Sequence, residues 1–243
     1  MPAVSPGTEF LAAGSGPSPL WYATRAIGVV ALILLTLSVA FGVAGTARYS
    51  APALPRLIRS GLHRNISLLA VVFVGAHVIT TVLDSYTSIS LVNAVVPFTS
   101  TYRSLWLGLG AIALDLLLAI VITSLLRSRL SHRTWRSVHW LAYVSWPISL
   151  WHGLGTGTDT RLSWLLAVEA ACLVAVAATV WWRLRLARSG SMRSAGLAAT
   201  AALAVATIVF TAVGPLQPGW SRTAGTPQAS TGRAHVTEPG ARR

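Results

Sequence analysis

The sequence contains few of the residues on which soluble redox and metal-binding proteins commonly depend. Cys172 is the only cysteine, so the chain can form no intramolecular disulfide, no thiolate metal cage and no Cys-x-x-Cys pair. Only six acidic residues accompany 19 basic ones, and all the basic residues are arginine. Charged residues make up 10% of the chain and hydrophobic residues 53%, with a mean hydropathy of +0.63. This composition excludes an ordinary soluble domain and is typical of a membrane protein.

Six apolar runs are each roughly 20 residues long, enough to cross a hydrocarbon core of about 30 Å. We therefore predict an all-α polytopic membrane protein, a six-transmembrane-helix bundle over residues 22–215. An N-terminal segment, 1–21, precedes the bundle, and a Pro/Gly/Thr/Ser-rich disordered tail, 216–243, follows it. The predicted spans are 22–45, 63–83, 104–126, 137–155, 162–182 and 196–215.

Arginine clusters indicate the orientation of this bundle. The loops after the first, third and fifth spans are rich in arginine and carry no acidic residue, whereas the alternate loops carry little charge. The positive-inside rule places the Arg-rich loops in the cytoplasm, which predicts a multi-pass protein of the cell membrane with both termini outside. The same rule accounts for the net charge of +13, so the predicted partner is the lipid bilayer and not nucleic acid.

Four histidines form two similar pairs inside the apolar runs. His63 and His77 are 14 residues apart in the second span, and His139 and His152 are 13 apart in the fourth. Each spacing corresponds to roughly 20 Å along a helix. Because one span separates the two runs, they point the same way, and His63 is predicted level with His139 and His77 with His152. Neutral imidazoles at two levels fit two six-coordinate haems stacked across the bilayer.

On a regular helix, the 14-residue spacing places both histidines on one face, whereas the 13-residue spacing does not. Fourteen residues turn about 1400°, close to four whole turns, so His63 and His77 share a face. Thirteen residues leave a mismatch of about 140°, which requires a local irregularity. Pro147 lies between His139 and His152, and the sequence predicts a helix kink there.

Other polar residues in or beside the spans have alternative explanations. Arg64 and Arg136 flank the histidines of the Arg-rich side and are predicted to pair with haem propionates, although interfacial snorkelling would also explain them. Asp115 and Glu169 are candidates for a proton relay or a quinol site, and hydrogen bonding to a neighbouring helix explains them equally well.

The segments "LHRNISLLAVVFVGAH" and "WRSVHWLAYVSWPISLWH" resemble the ferric-reductase-like transmembrane domain family, over roughly residues 22–183. That family includes the membrane portions of ferric reductases and NADPH oxidases, and the haem-binding subunit of a periplasmic methionine sulfoxide reductase. The resemblance implies a six-helix bundle that binds two b-type haems and carries electrons from the cytoplasmic to the outer side. It places the iron ligands at His63, His77, His139 and His152.

The resemblance further implies the membrane haem subunit of an oxidoreductase. We expect no flavin and nicotinamide domain after the last span, so the expected donor is a separate cytoplasmic flavin reductase or a membrane quinol, and the expected acceptor lies on the outer side. Two rivals remain: a small transporter or proton channel that uses the intramembrane His, Asp and Glu residues, and a non-catalytic membrane scaffold.

Overall fold

The apolar runs form helices, and no strand occurs among the residues that this computed structural model describes, which are 18–45, 56–84, 89–157, 162–185 and 190–220. For residues 56–59 and 192 the description covers the backbone alone. The prediction of an all-α membrane protein is confirmed: five of the described helices are long and apolar enough to cross a bilayer. Most of the predicted tail, 221–243, lies outside the described residues.

Eight α-helices follow one another along the described chain. α3 is a short helix that hydropathy does not predict, and a 3₁₀ turn, Arg127–Arg129, joins α4 to α5. The helices are α1 (Pro19–Gly45), α2 (Arg56–Leu83), α3 (Leu91–Val95), α4 (Ser104–Leu125), α5 (His132–His139), α6 (Ala142–Thr156), α7 (Ser163–Arg185) and α8 (Gly190–Val213).

The fourth predicted span is not a single helix. It is divided at Trp140 and Leu141 into α5 and α6, and neither part alone has the length of a membrane span. α6 runs through Pro147 without interruption, and the kink expected at this residue stays a prediction. The amides of Leu141, Tyr143 and Val144 instead bond to carbonyls three residues back. Such 3₁₀ turns rotate the chain by about 120° per residue instead of about 100°, which moves the phase between His139 and His152 in the direction that the 13-residue spacing requires.

The core lies where α1, α6 and α7 meet. Its buried side chains include Leu32 from α1, Leu150 from α6 and Cys172 from α7. Cys172 is therefore a small apolar core residue, as its position in an apolar run indicates. α2 and α8 bury few residues and expose large apolar side chains such as Val72 and Ile208, which is the arrangement expected of helices that face lipid.

Two antiparallel helix pairs position the histidines. His63 contacts Ser38 and His77 contacts Thr24, so α2 runs antiparallel to α1. His152 contacts Trp106, and Ser145 donates to the carbonyl of Ala113 at 3.1 Å, so α6 runs antiparallel to α4. α1 also contacts α6, and this contact brings the two antiparallel helix pairs into one bundle.

The end of the bundle near α3 is closed by a buried arginine. Arg103 donates hydrogen bonds to the carbonyls of Gly155 and Trp220, and its guanidinium lies over the Trp220 ring. Burial lowers the pKa of the Arg103 guanidinium below its usual value. Trp220 in turn contacts Trp106 and Phe210, so the chain after α8 packs back onto α4.

Candidate functional site: two facing histidine pairs

The structure brings the four histidines together in the pairs that helix arithmetic predicts. In the first pair, His63 and His139, the ring centroids are 6.3 Å apart and the ring planes 82° apart. In the second pair, His77 and His152, the corresponding values are 6.4 Å and 77°. The first pair lies toward the end that carries Arg127–Arg129 and α5, and the second toward the end that carries α3 and Arg103. The bundle thus holds two imidazole pairs of nearly identical geometry at different depths.

The separation within each pair suits a single metal ion between the rings. With a metal–nitrogen bond of about 2.0 Å and roughly 1.1 Å from that nitrogen to its ring centroid, two imidazoles on opposite sides of one ion have centroids on the order of 6.2 Å apart. The steep angles between the ring planes exclude face-to-face stacking, and a hydrogen bond between the two rings would leave no room for an ion. The observed 6.3 Å and 6.4 Å fit the metal-bridged arrangement.

Hydrogen bonds to backbone carbonyls define the tautomer of three of the rings. His63 Nδ1 lies 3.0 Å from the carbonyl oxygen of Ser38, and His77 Nδ1 lies 2.9 Å from that of Thr24. His152 Nδ1 lies 2.8 Å from the carbonyl oxygen of Trp106. A carbonyl oxygen only accepts, so each Nδ1 must carry a proton and donate. The neutral ring then has its lone pair on Nε2, as a metal-ligating histidine requires.

His139 is held differently. Its Nδ1 is buried and has no hydrogen-bond partner. The ring instead stacks on Trp135, one helical turn earlier, with centroids 5.0 Å apart and planes 22° apart. Arg127 covers the Trp135 ring at 4.4 Å. The first pair therefore combines one hydrogen-bonded imidazole with one that is held by aromatic stacking.

A cavity of about 440 Å³ surrounds the second pair. Its walls come mainly from α1, α2, α4, α6 and α7 and are largely apolar. His77 and His152 enter it from opposite helices, and Glu169 of α7 reaches it beside Gly153. A void of this volume has the size of a ligand site, and its apolar walls and few polar groups are typical of cofactor sites.

The described residues contain no cluster of three or more His, Cys, Asp or Glu side chains that could hold a metal ion. A metal bound entirely by protein side chains ordinarily requires three or four ligands. Two imidazoles alone suffice when the metal brings equatorial ligands of its own, as haem iron does. The donor set in each pair therefore fits a haem better than a bare ion.

The predicted arginine and acidic site residues differ in their exposure. Arg64 and Arg136 are both exposed, and Arg136 lies over the Trp140 ring at 5.4 Å; their pairing with propionates stays a prediction. Asp115 is exposed on the surface of α4, away from the core. Glu169 is buried, and its Oε2 has no hydrogen-bond partner. A relay that links both acids to the histidines thus receives support only at Glu169.

Sequence reasoning missed the groups that hold the rings. The acceptor carbonyls of Thr24, Ser38 and Trp106 cannot be identified from the sequence, because every residue has a carbonyl. Trp135 was detectable, since residues four apart on a helix share a face and Trp135 precedes His139 by four.

Comparison with known families agrees with this geometry. The profile of the family described as "Ferric reductase like transmembrane component" matches residues 27–150, just over half of the chain. The chain belongs to this family. The suspected resemblance is confirmed over that segment, which holds His63, His77 and His139 and ends two residues before His152. No curated protein and no solved structure matches the chain significantly.

Proposed function

We propose that this member of the ferric-reductase-like family is a transmembrane haem b protein, the membrane haem subunit of an oxidoreductase. In this proposal His63 and His139 hold one haem and His77 and His152 hold another. The observation that carries it is the pair of facing imidazoles, which recurs at two depths with centroids 6.3 Å and 6.4 Å apart.

When bound, haem supplies one-electron chemistry whose potential depends on the axial ligands and their hydrogen bonds. The chain's own residues present the ligands and exclude water. Carbonyls on α1 and α4 orient three of the imidazoles, and the apolar walls around the second pair keep its surroundings at low dielectric. Fourteen residues rise about 21 Å along α2, so the two pairs bridge most of a hydrocarbon core of about 30 Å.

The proposed direction of electron flow follows from the positive-inside rule. The Arg-rich end then faces the cytoplasm, and the first pair lies nearest to a cytoplasmic flavin reductase or a membrane quinol, while the second pair serves an acceptor outside. The protein lies in the cell membrane with both termini outside. Arg127, Arg129, Arg133 and Arg136 are exposed at that end and provide a basic surface for an acidic flavoprotein.

The rival with most support is a proton channel, because Glu169 reaches the cavity around the second pair. The absorption spectrum of the purified, dithionite-reduced protein separates the two proposals. A haem b protein with two imidazole ligands gives sharp low-spin bands, and these weaken in His77→Ala and in His152→Ala. A channel is colourless, and a colourless protein from haem-replete cells would refute the haem proposal.

A further inference from the structure

Three of the four imidazoles rest on the same local arrangement in a neighbouring helix. His77 donates to the carbonyl of Thr24, and an added Cβ at Gly28 would lie 3.0 Å from its Nδ1. His63 donates to Ser38, and a Cβ at Gly42 would lie 3.3 Å from its Cε1. The third histidine, His152, donates to Trp106, and a Cβ at Gly110 would lie 2.6 Å from its Nδ1.

In each case the glycine follows the accepting carbonyl by four residues: 24 and 28, 38 and 42, 106 and 110. We call this arrangement, an accepting carbonyl with a glycine four residues later, a carbonyl–glycine seat. Gly28 and Gly42 are themselves 14 residues apart, the spacing of His77 and His63 on the antiparallel helix. Two seats on α1 therefore match two histidines on α2, one for one.

Helix geometry explains why the glycine is needed. The carbonyl of residue i in an α-helix already accepts the amide of residue i+4. Its second lone pair remains available, and a donor that reaches it passes close to residue i+4. A side chain at that position would meet the imidazole, as the short Cβ distances at all three glycines indicate. Glycine leaves the space that the ring occupies.

We propose that Gly28, Gly42 and Gly110 are positioning residues for the imidazoles of His77, His63 and His152. By admitting each ring to its carbonyl, they keep the proton on Nδ1 and direct the Nε2 lone pair toward the facing histidine. This inference deepens the proposed function and, for its effect on the cofactor, rests on it. The second pair has two seats and the first pair one, because His139 stacks on Trp135 and its Nδ1 has no acceptor.

The test replaces each seat glycine with alanine in the full chain. Gly75→Ala serves as the matched control, because Gly75 also lies within a spanning helix but has nothing within 4 Å of an added Cβ. The first readout needs no haem: ¹⁵N-histidine spectra of the haem-free protein in lipid report which ring nitrogen carries the proton. We expect Gly110→Ala to shift His152 away from the Nδ1–H form and Gly75→Ala to change nothing.

The second readout is haem affinity. Loss of a hydrogen bond that orients a metal ligand typically weakens metal binding by 10–100-fold. We expect a loss in that range for Gly110→Ala, a smaller loss for Gly42→Ala, where the ring need move only slightly, and none for Gly75→Ala. Gly42→Ala keeps the test decisive if Gly110→Ala does not fold.

The two readouts distinguish a failure of the seat proposal from a failure of the proposed function. Unchanged tautomers and unchanged affinity in the folded seat variants, with haem bound to the wild type, would overturn the seats and leave the proposed function standing. Tautomer shifts in the seat variants, together with a wild-type chain that takes up no haem, would support the seats and contradict the proposed function.

Discussion

Trp135 stacks on His139 with ring centroids 5.0 Å apart, and this contact takes the place of the carbonyl that orients each of the other three imidazoles. The stack restrains the plane of the His139 ring but gives its Nδ1 no acceptor, whereas a hydrogen bond to a carbonyl fixes both the ring and its tautomer. The haem at the first pair is therefore expected to bind less tightly than the haem at the second.

Replacement of Trp135 tests this expectation. Trp135→Ala removes the stacking surface and should lower occupancy of the first haem, while Trp135→Phe retains an aromatic face and should preserve most of it. Haem content after prolonged washing is the measurement. Trp182→Ala is the control, because Trp182 is an exposed tryptophan near the end of α7. Equal losses in Trp135→Ala and Trp182→Ala would remove any specific role for the stack.

The ligand pairing predicts which histidine variants resemble one another. His77→Ala and His152→Ala each remove one ligand from the second pair and should give similar reduced spectra. His63→Ala and His139→Ala should resemble each other in the same way. His235→Ala is the control, since His235 follows the last predicted span and lies in neither histidine-bearing run. Full low-spin haem in His77→Ala would contradict the assignment of the second pair.

Glu169→Gln separates the haem proposal from the channel proposal. Glu169 lines the cavity but belongs to neither imidazole pair. Because glutamine has nearly the same volume as glutamate, the substitution should leave the haem content unchanged. Proton flux into proteoliposomes provides the second measurement. A colourless wild type whose flux disappears in Glu169→Gln would favour the channel.

Orientation is tested by reporter fusions on opposite sides of the predicted bundle. Fusions at Ser131 and Ser189 should report the cytoplasm, and those at Ser88 and Thr226 the outer side, because the acid-free arginine clusters are retained inside. A signal from the outer side at Ser131 would reverse the proposed direction of electron flow.

The basic end predicts a salt-dependent reaction with an acidic flavoprotein. Reduction by a flavin reductase should slow as salt rises, because the Debye length falls from about 10 Å at 0.1 M to about 3 Å at 1 M. Arg133→Ser and Arg136→Ser should weaken the dependence, since both side chains are exposed. Arg56 and Arg59 of the Arg-rich loop after the first predicted span are expected to add to this surface, and their side chains lie outside the described residues. Quinol-driven reduction is the control and should respond little to salt. A flavoprotein rate that is insensitive to salt would exclude this docking surface.

Hydropathy predicted most of the fold, because burial in lipid requires long apolar segments whatever the details of packing. The levels of the four histidines followed from helix rise and from the parallel direction of the second and fourth spans. The break at Trp140 and Leu141 was not predictable in this way. Pro147 is the residue in that run that ordinarily interrupts helices, but α6 accommodates it, and the 3₁₀ turns arise where α5 and α6 must both pack near α4.

The orientation of the imidazole rings could not be predicted from the sequence either, since it depends on backbone carbonyls that every residue carries. The glycines are a partial exception. Gly28 and Gly42 repeat the 14-residue spacing of His63 and His77, and this match can be read from the sequence once the two helices are known to be antiparallel.

Haem stoichiometry tests the central claim most directly. The measurement is the ratio of haem to protein, by pyridine haemochrome and amino-acid analysis, in chains expressed with haem in excess. We predict two haems per wild-type chain, one in the double variant His77→Ala/His152→Ala, and none when all four histidines are replaced. A ratio that is unchanged in the double variant, or a wild-type chain without haem, would contradict the account.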